Sequence, residues 1–293
     1  MRVAFRVQAL RLSVALNQLE SRGIFLRAAR WCRVFFARSG STARRIESST
    51  VAFLGSSSTA GKGQAFDWIA ELSRRPENKR WRFDNFGVGG DLAFNALKRL
   101  PDVLACRPQI VVVWIGANDV LSLASTTVRR LFQIFKHLPS EPSPQWFREN
   151  LCEIVRRLKA ADSVKIAICS LAPIGEDLSS EDSFQSKLNE RMAEYSAIIK
   201  DVAYKESVSY IPIYEAMCAH IATAPPRAFT HFRFFPFYRD AFRALALRKH
   251  PDEIALLNGW HFHTDGIHLN SRGGMIVADL VQGFLKAQLA ARS

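Results

Sequence analysis

The chain of 293 residues lacks several features that would assign it to a specialised class of protein. It has no run of roughly eighteen uninterrupted apolar residues, which argues against a membrane-spanning helix. Its five cysteines are widely separated, without a CxxC pair or a Cys/His cluster, so the sequence indicates neither a disulfide framework nor a zinc site. The glycine–lysine spacing of a Walker phosphate loop is also absent. With 48% apolar and 23% charged residues, the composition is that of a globular protein rather than a disordered one.

Acidic residues are scarce at the start of the chain. The whole sequence carries a net charge of +13, from 40 Lys and Arg against 27 Asp and Glu. The first fifty residues hold ten Arg, no Lys and only two acids, Glu20 and Glu47, which gives this leader a local charge of +8. The rest of the chain therefore carries only +5, which is ordinary for an enzyme of this size. The basic character bears on where the protein sits more than on its chemistry.

We interpret residues 1–48 as a basic extension and linker, for which several functions remain open. Arginines interrupt every apolar stretch that a secretory signal would need, while the Arg-rich, acid-poor composition also fits a mitochondrial transit peptide. Residues 23–38 fit a helix with an apolar arc opposite a basic one. Such a helix can lie on an anionic membrane or pack on its own domain. We expect a cytoplasmic protein. Peripheral contact with an anionic membrane through residues 23–38 is one alternative for this segment.

Short apolar runs alternate with longer amphipathic runs after the linker. Three continuous runs are typical of buried strands and two shorter runs are further candidates: 51–55, 110–116 and 164–171, then 82–86 and 208–213. Helical patterns cover 65–74, 92–104, 147–161, 184–204 and 273 to about 290. This alternation predicts a parallel sheet covered by helices on both faces. The residues that directly follow each strand are the candidate functional residues.

An aromatic-rich insertion at about 224–262 interrupts this alternation. Phenylalanines and arginines are interleaved there. Such a mixture can pack as a structural insertion, cover a substrate cleft as an apolar lid, or stack on single-stranded nucleic acid. We expect no nucleic-acid binding, because the predicted sheet fold offers no obvious groove for it.

Four short motifs place polar or small residues at the predicted strand ends. A serine-rich turn, 55–61, follows the first strand and can expose a nucleophilic hydroxyl. Glycines at 87, 89 and 90 follow the second strand and allow close backbone approach. Asn118 follows the third strand, where its side-chain amide can donate to an oxyanion or cap the next helix. Each motif alone is also explained by ordinary turns and caps.

The fourth motif pairs an acid with a histidine just before the last helix. Asp265 and His268 are three residues apart across a tight turn, so the carboxylate can reach Nδ1 of the imidazole and fix its tautomer. The other ring nitrogen can then act as a base. His261 and His263 lie nearby without this spacing, and His263 is a rival for the base.

In order and context these four motifs resemble those of the SGNH/GDSL hydrolases, a superfamily of serine esterases, lipases, thioesterases and carbohydrate deacetylases. The resemblance covers Val51 to the last helix and excludes the leader. It implies a catalytic triad of Ser57, Asp265 and His268. It also implies an oxyanion hole formed by the backbone N–H groups of Ser57 and Gly90 and the side chain of Asn118.

The resemblance leads to a definite set of expectations. We expect residues 49–293 to form a three-layer α/β/α sandwich around a flavodoxin-like, parallel, five-stranded sheet. The expected activity is hydrolysis of small-molecule carboxylic esters through an acyl-enzyme on Ser57, with no cofactor and no metal. The alternatives are a carbohydrate O-deacetylase of the same superfamily and a weak or inactive membrane-associated member. Ser56 stands where the family has Asp, which supports the last alternative.

Overall fold

The computed structural model describes residues 49–61, 66–161, 163–230 and 250–290. The leader and most of the aromatic-rich insertion lie outside these residues, so the hypotheses about membrane contact and a substrate lid stay predictions.

Five parallel strands form a single sheet. They are β1 Ser49–Gly55, β2 Trp81–Gly87, β3 Ile110–Trp114, β4 Lys165–Cys169 and β5 Ser209–Ile211. Their order across the sheet is β2-β1-β3-β4-β5, and every neighbouring pair is parallel. This is the flavodoxin-like order, in which the strand order reverses beside β1. The predicted five-stranded parallel sheet is confirmed.

Helices cover both faces of the sheet. In chain order the helices of the described residues are α1 Ser57–Ala60, α2 Trp68–Arg74, α3 Ala93–Lys98, α4 Leu100–Ala105, α5 Ala117–Ala124, α6 Thr126–Phe135, α7 Pro144–Lys159, α8 Ser183–Lys205, α9 Ile213–Ile221, α10 Pro251–Leu257 and α11 Ser271–Ala290. Helices α3, α4, α5, α7 and α8 pack on one face, while α2, α9 and α11 pack on the other. The three-layer α/β/α architecture is therefore confirmed.

Alternate side chains of the central strands supply the two apolar cores. Ala52 and Leu54 of β1 face the first core, whereas Val51 and Phe53 face the second. Successive side chains of a strand point to opposite faces, so a strand covered on both sides must be apolar throughout. This requirement explains the continuous apolar runs in the sequence.

The single helix predicted over 92–104 is wrong, because the structure contains two helices there, α3 and α4. Pro101 lies in the first turn of α4. It has no N–H to donate to the carbonyl of Leu97, and its ring would clash with that carbonyl in a continuous helix. The chain therefore restarts at Arg99, which caps both helices. Helices α1, α5, α6, α9 and α10 lie outside the predicted helical ranges.

Candidate active site

Ser57 begins helix α1 directly after β1, at the carboxyl edge of the sheet. The Ser56 carbonyl accepts the N–H groups of Thr59 at 3.1 Å and Ala60 at 3.0 Å, which closes one helical turn around the serine. Trp68 Nε1 donates to the Ser58 carbonyl at 2.8 Å, and Asn85 Nδ2 donates to that of Thr59 at 2.8 Å. The turn that carries Ser57 is thus fixed from α2 and from β2.

His268 and Asp265 lie next to Ser57 although 211 residues separate the serine from the histidine. His268 Nε2 is 3.1 Å from Ser57 Oγ, and Nδ1 is 2.8 Å from Asp265 Oδ2. Asp265 Oδ1 accepts the backbone N–H groups of Ile267 at 2.9 Å and His268 at 2.8 Å. The carboxylate therefore orients both the turn and the imidazole, and the structure brings the three predicted triad residues together in hydrogen-bonding order.

The pKa values of the two groups move as an acid–base pair requires. Burial lowers the pKa of His268, but the charge and hydrogen bond of Asp265 outweigh burial and raise that pKa above its ordinary value. Burial also raises the pKa of Asp265, but the charge of His268 and the hydrogen bonds to the carboxylate hold it well below its usual range. Asp265 is thus ionised at neutral pH, and an imidazolium at His268 is stabilised when it forms.

The turn between Asp265 and His268 depends on Gly266. Gly266 has φ +89°, a left-handed conformation that disfavours other residues. A Cβ at this position would lie 2.7 Å from Trp260 Cη2 and 2.8 Å from Phe229 Cδ2. The turn therefore packs directly on the Trp260 and Phe229 rings, which is possible only because Gly266 has no side chain.

Gly90 follows β2 in a left-handed conformation, with φ +76°. Two cations hold the peptides on either side of it. Lys136 Nζ donates to the Gly89 carbonyl at 2.7 Å and to Asp91 Oδ1 at 2.8 Å, while Arg99 Nε donates to Asp91 Oδ2 at 2.8 Å. The position predicted to supply a backbone oxyanion donor therefore lies in a segment fixed on both sides.

Asn118 lies beside this segment at the start of α5. Its Nδ2 donates to the Asp91 carbonyl at 2.9 Å, so the side-chain amide is one residue away from Gly90. The next residue, Asp119, is buried, and its Oδ2 accepts the N–H of Ala93 at 3.1 Å. These two hydrogen bonds join the segment after β3 to the segment after β2, where Gly90 lies.

His263, the rival for the base, does not reach Ser57. Its side chain is completely buried, and its ring nitrogens lie 2.9 Å from Glu176 Oε1 and 2.9 Å from the Pro173 carbonyl. With both nitrogens engaged in the interior, the ring cannot abstract a proton from the nucleophile.

Sequence reasoning missed Glu176, Lys136 and Arg99. None belongs to a motif. The partners of Glu176 and Lys136 lie far away in the chain: 87 residues separate Glu176 from His263, and 45 separate Lys136 from Asp91. Arg99 is only eight residues from Asp91, but the break between α3 and α4 makes their contact impossible to read from a regular helical spacing.

Within the described ranges, no three His, Cys, Asp or Glu side chains converge as the ligands of a metal ion. No helix of those ranges has both the length and the apolar character needed to cross a membrane.

Residues 53–274 match the model of the GDSL-like Lipase/Acylhydrolase family. No curated protein matches the chain.

Similar solved structures include three hydrolases. The acetyl xylan esterase AlAXEase is 20% identical with a TM-score of 0.52, over 80% of this chain and 98% of that one. Axe2, an acetylxylan esterase from Geobacillus stearothermophilus, is 16% identical with a TM-score of 0.55, over 80% and 92%. LAE5, an alpha/beta hydrolase from the metagenome of Lake Arreo, Spain, is 20% identical with a TM-score of 0.51, over 80% and 94%. At these identities the likeness is one of fold.

Proposed function

The chain belongs to the GDSL-like lipase/acylhydrolase family and is a carboxylic ester hydrolase, and from this premise we propose that it cleaves esters of small acyl groups through an acyl-enzyme on Ser57. The observation that carries the proposal is the hydrogen-bonded series Ser57–His268–Asp265, with contacts of 3.1 and 2.8 Å. A nucleophile, a base and a group that orients the base are the three parts that acyl transfer requires.

The reaction begins with proton transfer from Ser57 Oγ to His268 Nε2. As the proton leaves, Oγ forms a bond to the ester carbonyl carbon, and the carbonyl electrons move onto oxygen. Asp265 stabilises the imidazolium through its hydrogen bond to Nδ1. The imidazolium then gives its proton to the alkoxide as the carbon–oxygen bond to the alcohol breaks, which leaves an ester on Ser57.

Hydrolysis of the acyl-enzyme repeats the sequence with water. His268 Nε2 takes a proton from a water molecule as the oxygen of that water attacks the acyl carbon. The imidazolium returns the proton to Ser57 Oγ when the acid leaves. Both steps pass through an oxyanion, which the N–H groups of Ser57 and Gly90 and the amide of Asn118 stabilise. One N–H of Asn118 is held by the Asp91 carbonyl, and the second is the one that serves the oxyanion.

A small apolar cavity beside the nucleophile supports a short acyl group. Both neighbours of Ser57 line it, together with Ile267, which precedes His268, and Leu171 and Ile174 from the loop after β4. Only about 10 Å³ of it is open to the centre of a water-sized sphere, which is roughly the space of one water molecule. A methyl group fits such a space better than an extended acyl chain does.

Deacetylation of a glycan is the second candidate, and the same cavity is compatible with it. Sugar rings commonly stack on exposed aromatic faces, but Trp260, the tryptophan beside the His268 turn, is buried, and the Arg227 guanidinium lies 5.5 Å from its ring centroid. This arrangement favours a simple ester over a polysaccharide. The assembled Ser57–His268–Asp265 contacts favour an active enzyme over an inactive member, even with Ser56 in place of the family Asp.

The proposal is tested with p-nitrophenyl acetate, butyrate and octanoate and with a fluorophosphonate probe. We expect kcat/KM to be highest for acetate, because the cavity admits little more than a methyl group. Ser57→Ala should abolish both turnover and labelling, whereas Ser73→Ala, an exposed serine of α2, should change neither. Labelling that persists without Ser57 would move the nucleophile elsewhere, and a preference for octanoate would refute the small acyl group.

A further inference from the structure

Glu176 and His263 form a buried polar pair outside the four motifs. Their side chains are completely buried, and the carboxylate lies 2.9 Å from His263 Nδ1. The carboxylate also accepts three consecutive backbone N–H groups, from His261 at 2.8 Å, Phe262 at 2.7 Å and His263 at 2.8 Å. One side chain thereby fixes the whole 261–263 segment.

The hydrogen bonds of the His263 ring indicate its protonation state. Nδ1 faces the carboxylate, and Nε2 faces the Pro173 carbonyl at 2.9 Å. Both partners are acceptors, and a neutral imidazole can donate from only one nitrogen. When Glu176 is ionised, only the imidazolium can donate to both of these acceptors. Burial raises the pKa of Glu176, but this effect is outweighed by the hydrogen bond and charge of His263 and by the backbone N–H groups, which lower the pKa. The carboxylate is therefore ionised.

The pair joins the loop after β4 to the turn that carries Asp265 and His268. Pro173 and Glu176 belong to that loop, and its Gly175 N–H donates to the Gly266 carbonyl at 2.7 Å. The 261–263 segment leads directly into the turn, since only Thr264 separates His263 from Asp265. The loop after β4 and the turn that carries His268 are therefore connected by the Glu176–His263 pair and by the Gly175–Gly266 hydrogen bond.

Stability alone explains such a pair poorly. Two charges lose their hydration on burial, and well-packed apolar side chains of similar volume often stabilise a protein as much or more. Charged hydrogen bonds are directional, however, and they fix the position of a backbone segment in a way that apolar contacts do not. A histidine base must be held close to its productive position, because a displacement of about 1 Å can lower a rate by about 100-fold.

We propose that Glu176 and His263 form a buried carboxylate–imidazolium pair that positions the turn carrying Asp265 and His268 against Ser57. Both are positioning residues, because neither touches the reacting atoms. The positioning role rests on the proposed function. The charge state of the pair does not, since it is independent of the reaction.

The charge state is tested on the unmodified protein by ¹⁵N NMR of the histidine ring nitrogens near pH 7.5. We expect both nitrogens of His263 to carry protons, with the signals assigned by their loss in His263→Gln. A ring with one protonated nitrogen would overturn the proposed pair. This outcome is independent of whether any variant is active.

The positioning role is tested with Glu176→Gln. This substitution keeps the size of the side chain but removes the charge and turns a donor toward one of the backbone N–H groups. We expect kcat to fall about 10- to 100-fold with little change in KM, because the pair acts on the turn and does not contact the substrate. The acid limb of kcat/KM should move to lower pH, because a looser turn weakens the Asp265 contact that raises the pKa of His268.

Two further variants make the result specific. Glu176→Asp retains the charge and should recover part of the lost kcat. Glu153→Gln removes a carboxylate of α7 that accepts from Arg156 Nε at 2.7 Å, outside the loop after β4 and the His268 turn, and it should leave kcat and the pH profile unchanged. Unchanged kcat and pH profile in folded Glu176→Gln would overturn the positioning role. Activity that survives in Ser57→Ala would instead refute the proposed function.

Discussion

Asn118 is the residue at which the proposed oxyanion hole is most directly tested. Removing a side-chain oxyanion donor typically lowers kcat by about 100- to 1000-fold, because the developing charge loses a preorganised hydrogen bond. We expect Asn118→Ala to show a loss of this size in kcat for p-nitrophenyl acetate, with KM changed much less.

The chain offers a matched control for this variant in Asn150. Both asparagines are 7% exposed, and both donate from Nδ2 to a backbone carbonyl, Asp91 at 2.9 Å for Asn118 and Trp146 at 2.7 Å for Asn150. Asn150 lies in α7, away from Ser57. Asn150→Ala should therefore reproduce the loss of a buried hydrogen bond without the loss of kcat. Equal kcat values in the two variants would show that Asn118 is structural.

At the scale of single residues, the sequence predicts what local spacing determines. Asp265 and His268 are three residues apart, so their contact follows from the turn itself. The proximity of Ser57 follows from the rule that strand ends share one edge of the sheet, together with the family resemblance. Glu176 and Lys136 could not be predicted, because their contacts depend on how two distant loops meet. The catalytic roles stay predictions that the variants above test.

At the scale of elements, helix α8 connects a strong local signal to the site. Asp182 precedes the helix, and its Oδ1 accepts the N–H groups of Phe184 at 2.9 Å and Gln185 at 3.0 Å. Gln185 Nε2 in turn donates to the Ile174 carbonyl at 2.7 Å, in the loop that carries Glu176. The first turn of α8 therefore supports the loop on which the buried pair rests.

Removing this cap should destabilise the protein by a predictable amount. We expect Asp182→Ala to lower the free energy of unfolding by about 1 kcal/mol, because two N–H groups at the helix start lose their acceptor. Asp182→Asn keeps a capping oxygen and should retain most of the stability. Urea denaturation of the three proteins measures the difference. Equal losses in Ala and Asn would attribute the effect to the charge rather than to the cap.

Long, regular elements were predicted well, whereas short or interrupted ones were not. The pattern at 184–204 corresponds to α8, Ser183–Lys205, because the buried apolar residues of this helix all belong to one core. The break between α3 and α4 comes from one residue, Pro101, which a hydrophobic pattern does not register. The α6 helix has no fully buried residue, but its apolar and polar residues are clearly separated around the helix, so a weak sequence pattern does not explain why it was missed.

At the scale of the whole molecule, the alternation of strands and helices predicts the layers but not the strand order. Apolar runs report that a strand is covered on both faces, and this property is the same for β1, β3 and β4. The order β2-β1-β3-β4-β5 depends on the direction of each crossover, which no single segment encodes. The family resemblance supplied it. The +8 charge of the leader lies outside the described residues, so membrane contact stays a prediction.

Asp119 links the active-site edge to the stability of the whole molecule. Burial raises the pKa of this carboxyl to about 8, and only one oxygen has a partner in the described part of the chain, the Ala93 N–H. The folded protein therefore holds a proton here at pH 7, whereas an unfolded Asp, with a pKa of about 3.9, is ionised. Between these values the folded state binds more protons than the unfolded state, so this residue makes stability fall as pH rises.

Asp119→Asn should remove that loss, because Asn keeps an acceptor for Ala93 and does not ionise. We expect its free energy of unfolding relative to the wild type to increase from pH 5 to pH 8, by at most about 1.4 kcal/mol per pH unit. The difference between the two proteins cancels contributions from His268 and other titrating groups. Asp102→Asn, which removes an exposed carboxylate of α4, is the control for the loss of one negative charge without burial. It should not show this pH-dependent gain. Urea denaturation from pH 5 to pH 8 measures the difference in free energy of unfolding between Asp119→Asn and the wild type. A difference that stays constant with pH would show that Asp119 is ionised in the folded protein.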